Sequence, residues 1–195
     1  MKDLDEEGNI YHFLGDSSDK RSVRVICMRI LLSLILVISC WKLGDIKNWR
    51  TYYPTILYVI INNLLYSFFV SEKKYFLWKL EPDFLLNPTF SFLVQNFIIF
   101  PCLIILFLSY LPKYQHKKIT YIILAASILA GIEFIMYLTG RITYHHGWNF
   151  WWSIGFNILW VLMMKLHFYK PIPAWVVSFI ITAFFIIYFH VPLPE

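Results

Sequence analysis

Apolar runs of about 20 residues, the length a helix needs to cross a bilayer core about 30 Å thick, recur along this chain from the first third to the end. The run Thr89 to Leu111 holds no Asp, Glu, Lys or Arg at all. A soluble domain of 195 residues could not hide so much apolar surface. Here 59% of residues are hydrophobic and only 15% charged, against about 25% charged in an average soluble domain. The chain therefore reads as an all-α integral membrane protein, a bundle of about six transmembrane helices. The spans are expected at Val25 to Leu43, Tyr53 to Val70, Thr89 to Leu111, Ile119 to Leu138, Trp148 to Leu166 and Ala174 to Val191.

Two stretches fall outside that pattern. Residues 1–22 carry Asp3, Asp5, Glu6, Glu7, Asp16 and Asp19 among Gly and Ser, too polar for a core and expected to be a disordered acidic tail. Residues 23–195 then form one transmembrane helical domain. Ser71 to Pro88, between the second and third spans, is too short and polar to cross, but Tyr75, Phe76, Leu77 and Trp78 make it greasy. An interfacial segment lying on the membrane is expected there. The first span has a rival reading, in which Arg24 and Arg29 open a signal sequence and Ile30 to Ser39 lead to lipoprotein-type cleavage at Cys40. The long acidic tail ahead of it and the bulky Trp41 after the cysteine argue against that, and Arg29 can snorkel to the near interface.

Aromatic rings gather where spans should meet water, at Trp41, Trp49, Tyr53, Trp78, Tyr110, Tyr114, Trp148, Trp151 and Trp175, as expected of a ring with an apolar body and a polar edge. The net charge of +5 does not indicate nucleic acid, because the 17 Lys and Arg sit in short clusters between apolar runs and fit loops touching headgroups. Those residues divide almost evenly between the two sides, so the positive-inside rule does not orient the chain; Arg24 and Arg29, nearest the first span, lean toward cytoplasmic termini. Cys27, Cys40 and Cys102 all lie in apolar segments without Cys-x-x-Cys spacing and read as small packers. Six spans of this size can act alone or as a dimer.

Glu133 is the one acid within an expected span, roughly 8 Å below the nearer helix end at 1.5 Å per residue. There it must be protonated, paired or facing a wet interior. Tyr137, one turn along, and Arg141, two turns along, are candidate structural partners. In the fifth span Asn149, Ser153, Asn157, Met164 and His167 fall within an arc of about 80°, giving the helix one polar stripe. Tyr52, Thr55, Asn62 and Tyr66 share a face of the second span, and Ser91, Gln95, Cys102 and Ser109 of the third. Such faces turn inward. They act either as inter-helix glue at about 0.6 kcal/mol per bond, or as an interior site lined by Asn62, Asn63, Gln95, Asn96, Glu133 and Asn157. The sixth span, with little beyond Ser178 and Thr182, is the expected lipid-facing wall. Pro101 should kink the third span.

His145, His146 and His167 flank the fifth span. Adjacent histidines do not share a helix face, and His145 and His167 stand about 30 Å apart on a straight helix, so no metal site is expected. No His-Glu-x-x-His, Gly-x-Ser-x-Gly, phosphate loop or dinucleotide motif occurs, and no cofactor is expected.

The order of motifs resembles a family of small, multi-pass, functionally uncharacterised membrane proteins of endospore-forming Gram-positive bacteria. The likeness runs from Trp41 onward through Trp41-Lys42-Leu43-Gly44-Asp45, Asn48-Trp49, Tyr52-Tyr53-Pro54, Asn63-Leu64-Leu65-Tyr66, Glu81-Pro82-Asp83, Phe100-Pro101 and Glu133. It is densest at Ile142-Thr143-Tyr144-His145-His146-Gly147-Trp148-Asn149, Trp152-Ser153, Asn157, Leu166-His167, Pro171 and Ala174-Trp175. The resemblance implies an all-helical fold in the bacterial cytoplasmic membrane and no known activity. The chain departs from the family in its acidic tail and at Asn63, where relatives can carry an acid, which weakens any scheme needing two intramembrane carboxylates.

The functional expectation is a non-enzymatic protein that meets the lipid bilayer and binds a small solute, a lipid or a membrane-protein partner through a polar interior. A small transporter or channel with Glu133 titrating is the first alternative. A membrane-embedded enzyme pairing Glu133 with His145 or His146 is the second.

Overall fold

The computed structural model describes residues 30–71, 74–80 and 88–192. The acidic tail, residues 25–29 of the first expected span, and Glu81-Pro82-Asp83 lie outside the described residues. In chain order the elements are α1 (Ile30–Leu43), a 3-10 turn (Ile46–Asn48), α2 (Trp49–Ser71), β1 (Trp78–Leu80), α3 (Pro88–Val94), a π-helical turn (Gln95–Ile99), α4 (Phe100–Ser109), α5 (Gln115–Leu138), β2 (Ile142–Tyr144), α6 (Phe150–Tyr169) and α7 (Pro171–Tyr188).

Four helices are long and apolar enough to cross a membrane: Ile46–Val70, Thr89–Ser109, His116–Leu138 and Pro171–Tyr188. Two of the six expected spans fall short of that description. The described part of α1 is a shorter apolar helix. The 20 residues of α6 are long enough, but Asn157, Lys165, His167 and three tryptophans dilute their apolar character. The outer surface is nevertheless greasy throughout, with Phe179, Ile180 and Ile187 of α7 and Ile123 and Leu138 of α5 more than half exposed. Apolar patches that large are not left facing water by a soluble protein.

The third expected span is one continuous helical rod with a widened turn. Pro101 has no N–H to give the carbonyl four residues back, and its ring would press on that carbonyl. The chain answers one turn earlier: the Phe100 N–H donates to the Gln95 carbonyl, an i to i+5 bond that makes room for the proline. The expected break at Pro101 is thus a bulge ahead of it.

α6 is the hub. It packs against α5, α7 and α2, while α2 also packs on α4. Ile104 of α4, Val161 and Met164 of α6 and Ala174 of α7 are essentially without exposure at this junction. Cys40, the cleavage position of the rival reading, is 3% exposed within α1, beside Cys102.

The stretch between the second and third expected spans contains a strand. Trp78, Lys79 and Leu80 pair antiparallel with Tyr144, Thr143 and Ile142, and His145 N–H extends the ladder to the Leu77 carbonyl at 2.8 Å. Tyr66 of α2 stacks on Trp78 at 5.7 Å and donates to its carbonyl at 3.3 Å. Leu77, Trp148, Phe189 and Val191 form a second buried cluster beneath this ribbon. β2 reaches β1 because α5 ends abruptly: Gly140, at φ +71°, lets Arg141 N–H bond the Met136 carbonyl at 2.8 Å and Gly140 N–H bond Tyr137 at 2.9 Å. That pair of bonds is a Schellman stop, which glycine adopts without a Cβ penalty.

Gly44 closes the last turn of α1 with no room to spare, since a Cβ there would stand 2.5 Å from the Cys40 carbonyl oxygen and 3.1 Å from Ile105. Gly44→Ala is expected to cost about 1–3 kcal/mol, the range for overpacking a tight site. Gly131→Ala and Gly155→Ala, whose added Cβ would meet nothing within 4 Å, should leave the detergent melting temperature unchanged or slightly raised.

Candidate functional site

Glu133 sits on the face of α5 that meets α6, about two turns before the Gly140 stop. Glu133 is half-buried, and a carboxylate that loses water in an apolar helix needs donors from the protein in its place. Two reach it. The Tyr144 hydroxyl donates to Oε1 at 3.0 Å, and Asn157 Nδ2 of α6 donates to Oε2 at 2.8 Å. Each oxygen accepts one of these bonds, and the two donors come from different elements, so the carboxylate ties α5 to both β2 and α6.

The partners expected from spacing were Tyr137 and Arg141. Tyr137 stacks on the Tyr144 ring at 5.1 Å and so stands behind the donor. Arg141 is no longer on the helix face, because α5 ends at Leu138. Tyr144 was missed because its approach depends on the reversal at Gly140, which no helical periodicity describes. Burial pushes the Tyr144 phenol up to about 12; a Ser153 hydrogen bond works in the other direction, and the Glu133 carboxylate adds to the rise. Tyr144 therefore remains a donor across ordinary pH.

Among the other expected residues, Asn149 is the N-cap of α6, its Oδ1 accepting from the backbone of Trp151 at 3.0 Å and Trp152 at 3.3 Å, a bond pattern that satisfies otherwise orphaned amides. Ser153 is buried and accepts from Trp148 Nε1 at 2.9 Å. Asn63 Nδ2 donates to Asn96 Oδ1 at 3.0 Å, bridging α2 to the π turn, and Asn96 returns its own Nδ2 to the Phe92 carbonyl at 2.8 Å. Asn62 bonds the Tyr58 carbonyl of its own helix at 2.8 Å. Gln95 is half-buried at the start of the widened turn.

No hydrogen bond joins the Asn62, Asn63 and Asn96 set to Glu133 or Asn157. The expected single interior site is thus divided into separate local pairings.

The histidines go elsewhere too. His145 Nε2 pairs with Thr143 Oγ1 at 3.0 Å, and His146 stacks on Tyr75 at 3.6 Å; neither meets Glu133. The two occupy a turn closed by Trp148 N–H on the His145 carbonyl at 3.0 Å. His167 is buried near the opposite end of α6, where Nδ1 pairs with Thr55 Oγ1 at 3.1 Å and the ring stacks on Tyr58 at 4.2 Å. Tyr58 in turn bonds Ser178 of α7. Thr55 had been placed on the inner face of α2, but the meeting of α2, α6 and α7 at His167 was not legible from one helix at a time. Among the described residues no three of His, Cys, Asp and Glu come together as a metal site.

An open groove of about 250 Å³ runs along the outer side of the α5–α6 seam, lined by Ile123, Ala126, Ser127, Ala130, Ile154 and Ile158, with Ile123, Ser127 and Ile158 exposed. Ala130 and Ile154 stand one turn from Glu133 and Asn157. The seam is apolar up to the carboxylate and polar at it.

No family model matches the chain, and no curated protein or solved structure matches it.

Two outcomes test the carboxylate pin. A double-mutant cycle of Glu133→Gln with Asn157→Ala should give a coupling of about 0.5–2 kcal/mol in unfolding; additivity would mean that the pair contributes nothing. Tyr144, raised in the folded state from the ordinary 10.0 to about 12, contributes stability that is complete below pH 10 and is lost as pH rises through about 12. Melting followed across that window should fall less steeply in Tyr144→Phe than in wild type.

Proposed function

We propose that this chain is a multi-pass protein of the bacterial cytoplasmic membrane with about six crossings. In this reading the first expected span, Val25 to Leu43, and α6 cross together with the four long apolar helices, and β1–β2 caps one end of the bundle at the interface. The chain's activity on this reading is non-enzymatic: it binds or supports a membrane partner.

The observation that carries this is the filling of Glu133. Both of its oxygens accept from Tyr144 and Asn157, so the one carboxylate in the candidate spans serves to join helices. Asn63 and Asn96 likewise join α2 to the π turn, and Thr55 and His167 join α2 to α6, while Ser91 Oγ is buried without a partner among the described residues. An enzyme built on Glu133 with His145 or His146 gains no support, since both histidines have other partners.

One observation favours the transporter reading. The open α5–α6 groove reaches to within one turn of Glu133, so a small apolar solute in it would stand one turn from the carboxyl group.

The two readings part on a single substitution. In liposomes under an imposed pH gradient, Glu133→Gln should leave proton and solute flux at the wild-type level and lower the melting temperature by a few degrees. A pH-dependent flux present in wild type and lost in Glu133→Gln would replace the accessory reading with the transporter one.

A further inference from the structure

The two ends of the bundle differ in charge. Three connections meet at the end away from the ribbon: α1 to α2, α4 to α5, and α6 to α7. The contacts that gather them are explicit. Asp45 N–H bonds Ser109 Oγ at 3.1 Å, the Tyr110 hydroxyl donates to the Leu43 carbonyl at 2.9 Å, and Tyr52 stacks on Phe168 at 5.9 Å. Lys118 Nζ lies 5.7 Å from the centre of the Tyr169 ring, bringing the start of α5 to the end of α6.

This end carries Lys42, Lys47, Arg50, Lys113, Lys117 and Lys170, all exposed, with Lys118 and Lys165 half-buried behind them. Among the described residues its one acid is Asp45. That carboxylate is already engaged, with Asn48 Nδ2 on both oxygens at 3.1 and 3.0 Å and the Tyr52 hydroxyl on Oδ2 at 3.1 Å. The connection from Glu72 to Asn87 is different in sequence: Lys73, Lys74 and Lys79 are matched there by Glu72, Glu81 and Asp83.

We propose that the basic end is a docking surface for anionic phospholipid headgroups, an inference that rests on the membrane-spanning reading above. Charge complementarity selects the partner, and depth selects lipid over a soluble acidic protein. The cations are set among exposed rings, with Trp41 at 76%, Trp49 at 45%, Tyr110 at 52% and Tyr114 at 66% exposure. Indole and phenol rings of this kind settle at headgroup level. Lys117 Nζ sits 5.7 Å from the Tyr114 ring centre, which holds its ammonium at the depth of the aromatic belt. Lysine stems lie along apolar surface while their heads reach the phosphates, and several basic residues beside a membrane attract anionic lipid together.

The test uses the full chain taken from liposomes of equal phosphatidylglycerol and phosphatidylcholine, with retained lipid read by native mass spectrometry. Wild type should keep phosphatidylglycerol in preference to phosphatidylcholine. The preference should fall at least about tenfold when Lys113→Gln, Lys117→Gln and Lys118→Gln are combined, since each basic charge at a membrane surface contributes about fivefold. Replacing the same three lysines by arginine should retain it, which separates lost charge from lost fold. Lys74→Gln at the ribbon end should also retain it.

A wild type without preference, a triple glutamine variant that keeps it, or an equal loss in Lys74→Gln would each overturn the proposal. Alkaline carbonate washing of the membranes tests the underlying reading separately: retention in the pellet keeps the spanning architecture whatever the lipid result, and release overturns it.

Discussion

Hydrocarbon offers no hydrogen bonds, and that constraint organises this chain. A polar group carried into the apolar layer is costly unless the protein itself supplies its partner. Glu133 is the clearest case, because a carboxylate has the most to lose by desolvation. Its two oxygens recruit a phenol from the ribbon and an amide from α6, and in doing so fix the end of α5 against both. The Schellman stop at Gly140 and the β1–β2 pairing are what deliver Tyr144 to that place. If α5 continued past Leu138, Tyr144 would be carried away from Glu133 along a rising helix.

The same rule explains why α6 is the hub. A helix with a polar stripe on one side is a poor lipid-facing wall and a good centre, because several neighbours can satisfy different levels of it. Near its start Asn149 caps the helix and Ser153 receives Trp148; midway Asn157 turns to α5; near its end His167 turns to α2. α7 is the complement. Ser178 and Ala174 face inward, and Ile172, Val176, Phe179 and Ile187 face out, so one side pays no penalty in lipid. The ends of the bundle then diverge: an aromatic cluster under a ribbon closes one, and three short basic turns held by Asp45, Tyr110 and Lys118 close the other.

Much of the fold was legible in the sequence because length and hydropathy are local quantities. α2, α4, α5, α6 and α7 fall close to the stretches expected for them, and the inward placement of Thr55, Asn96 and Ser153 is visible in their buried positions; the burial of Ser178 on the expected lipid-facing wall was not foreseen. The site was legible only in part. Glu133 and Asn157 could each be singled out as costly in lipid. Their pairing could not, because the two residues lie on different helices and 24 positions apart.

The sequence by itself determined that the chain is helical and apolar outside, since runs of that length and composition have one way to satisfy their backbone in hydrocarbon. It also determined which side chains would need partners. Only the tertiary structure decided who those partners are. Asn63 went to Asn96, His167 to Thr55, and Glu133 to Tyr144 and Asn157. It also turned part of the greasy connection after α2 into a strand, because β2 emerges from the Gly140 reversal with unpaired amides beside Trp78. The reason is physical: helical periodicity fixes which face a residue occupies, but the neighbour across that face is set by how whole helices and their connections pack.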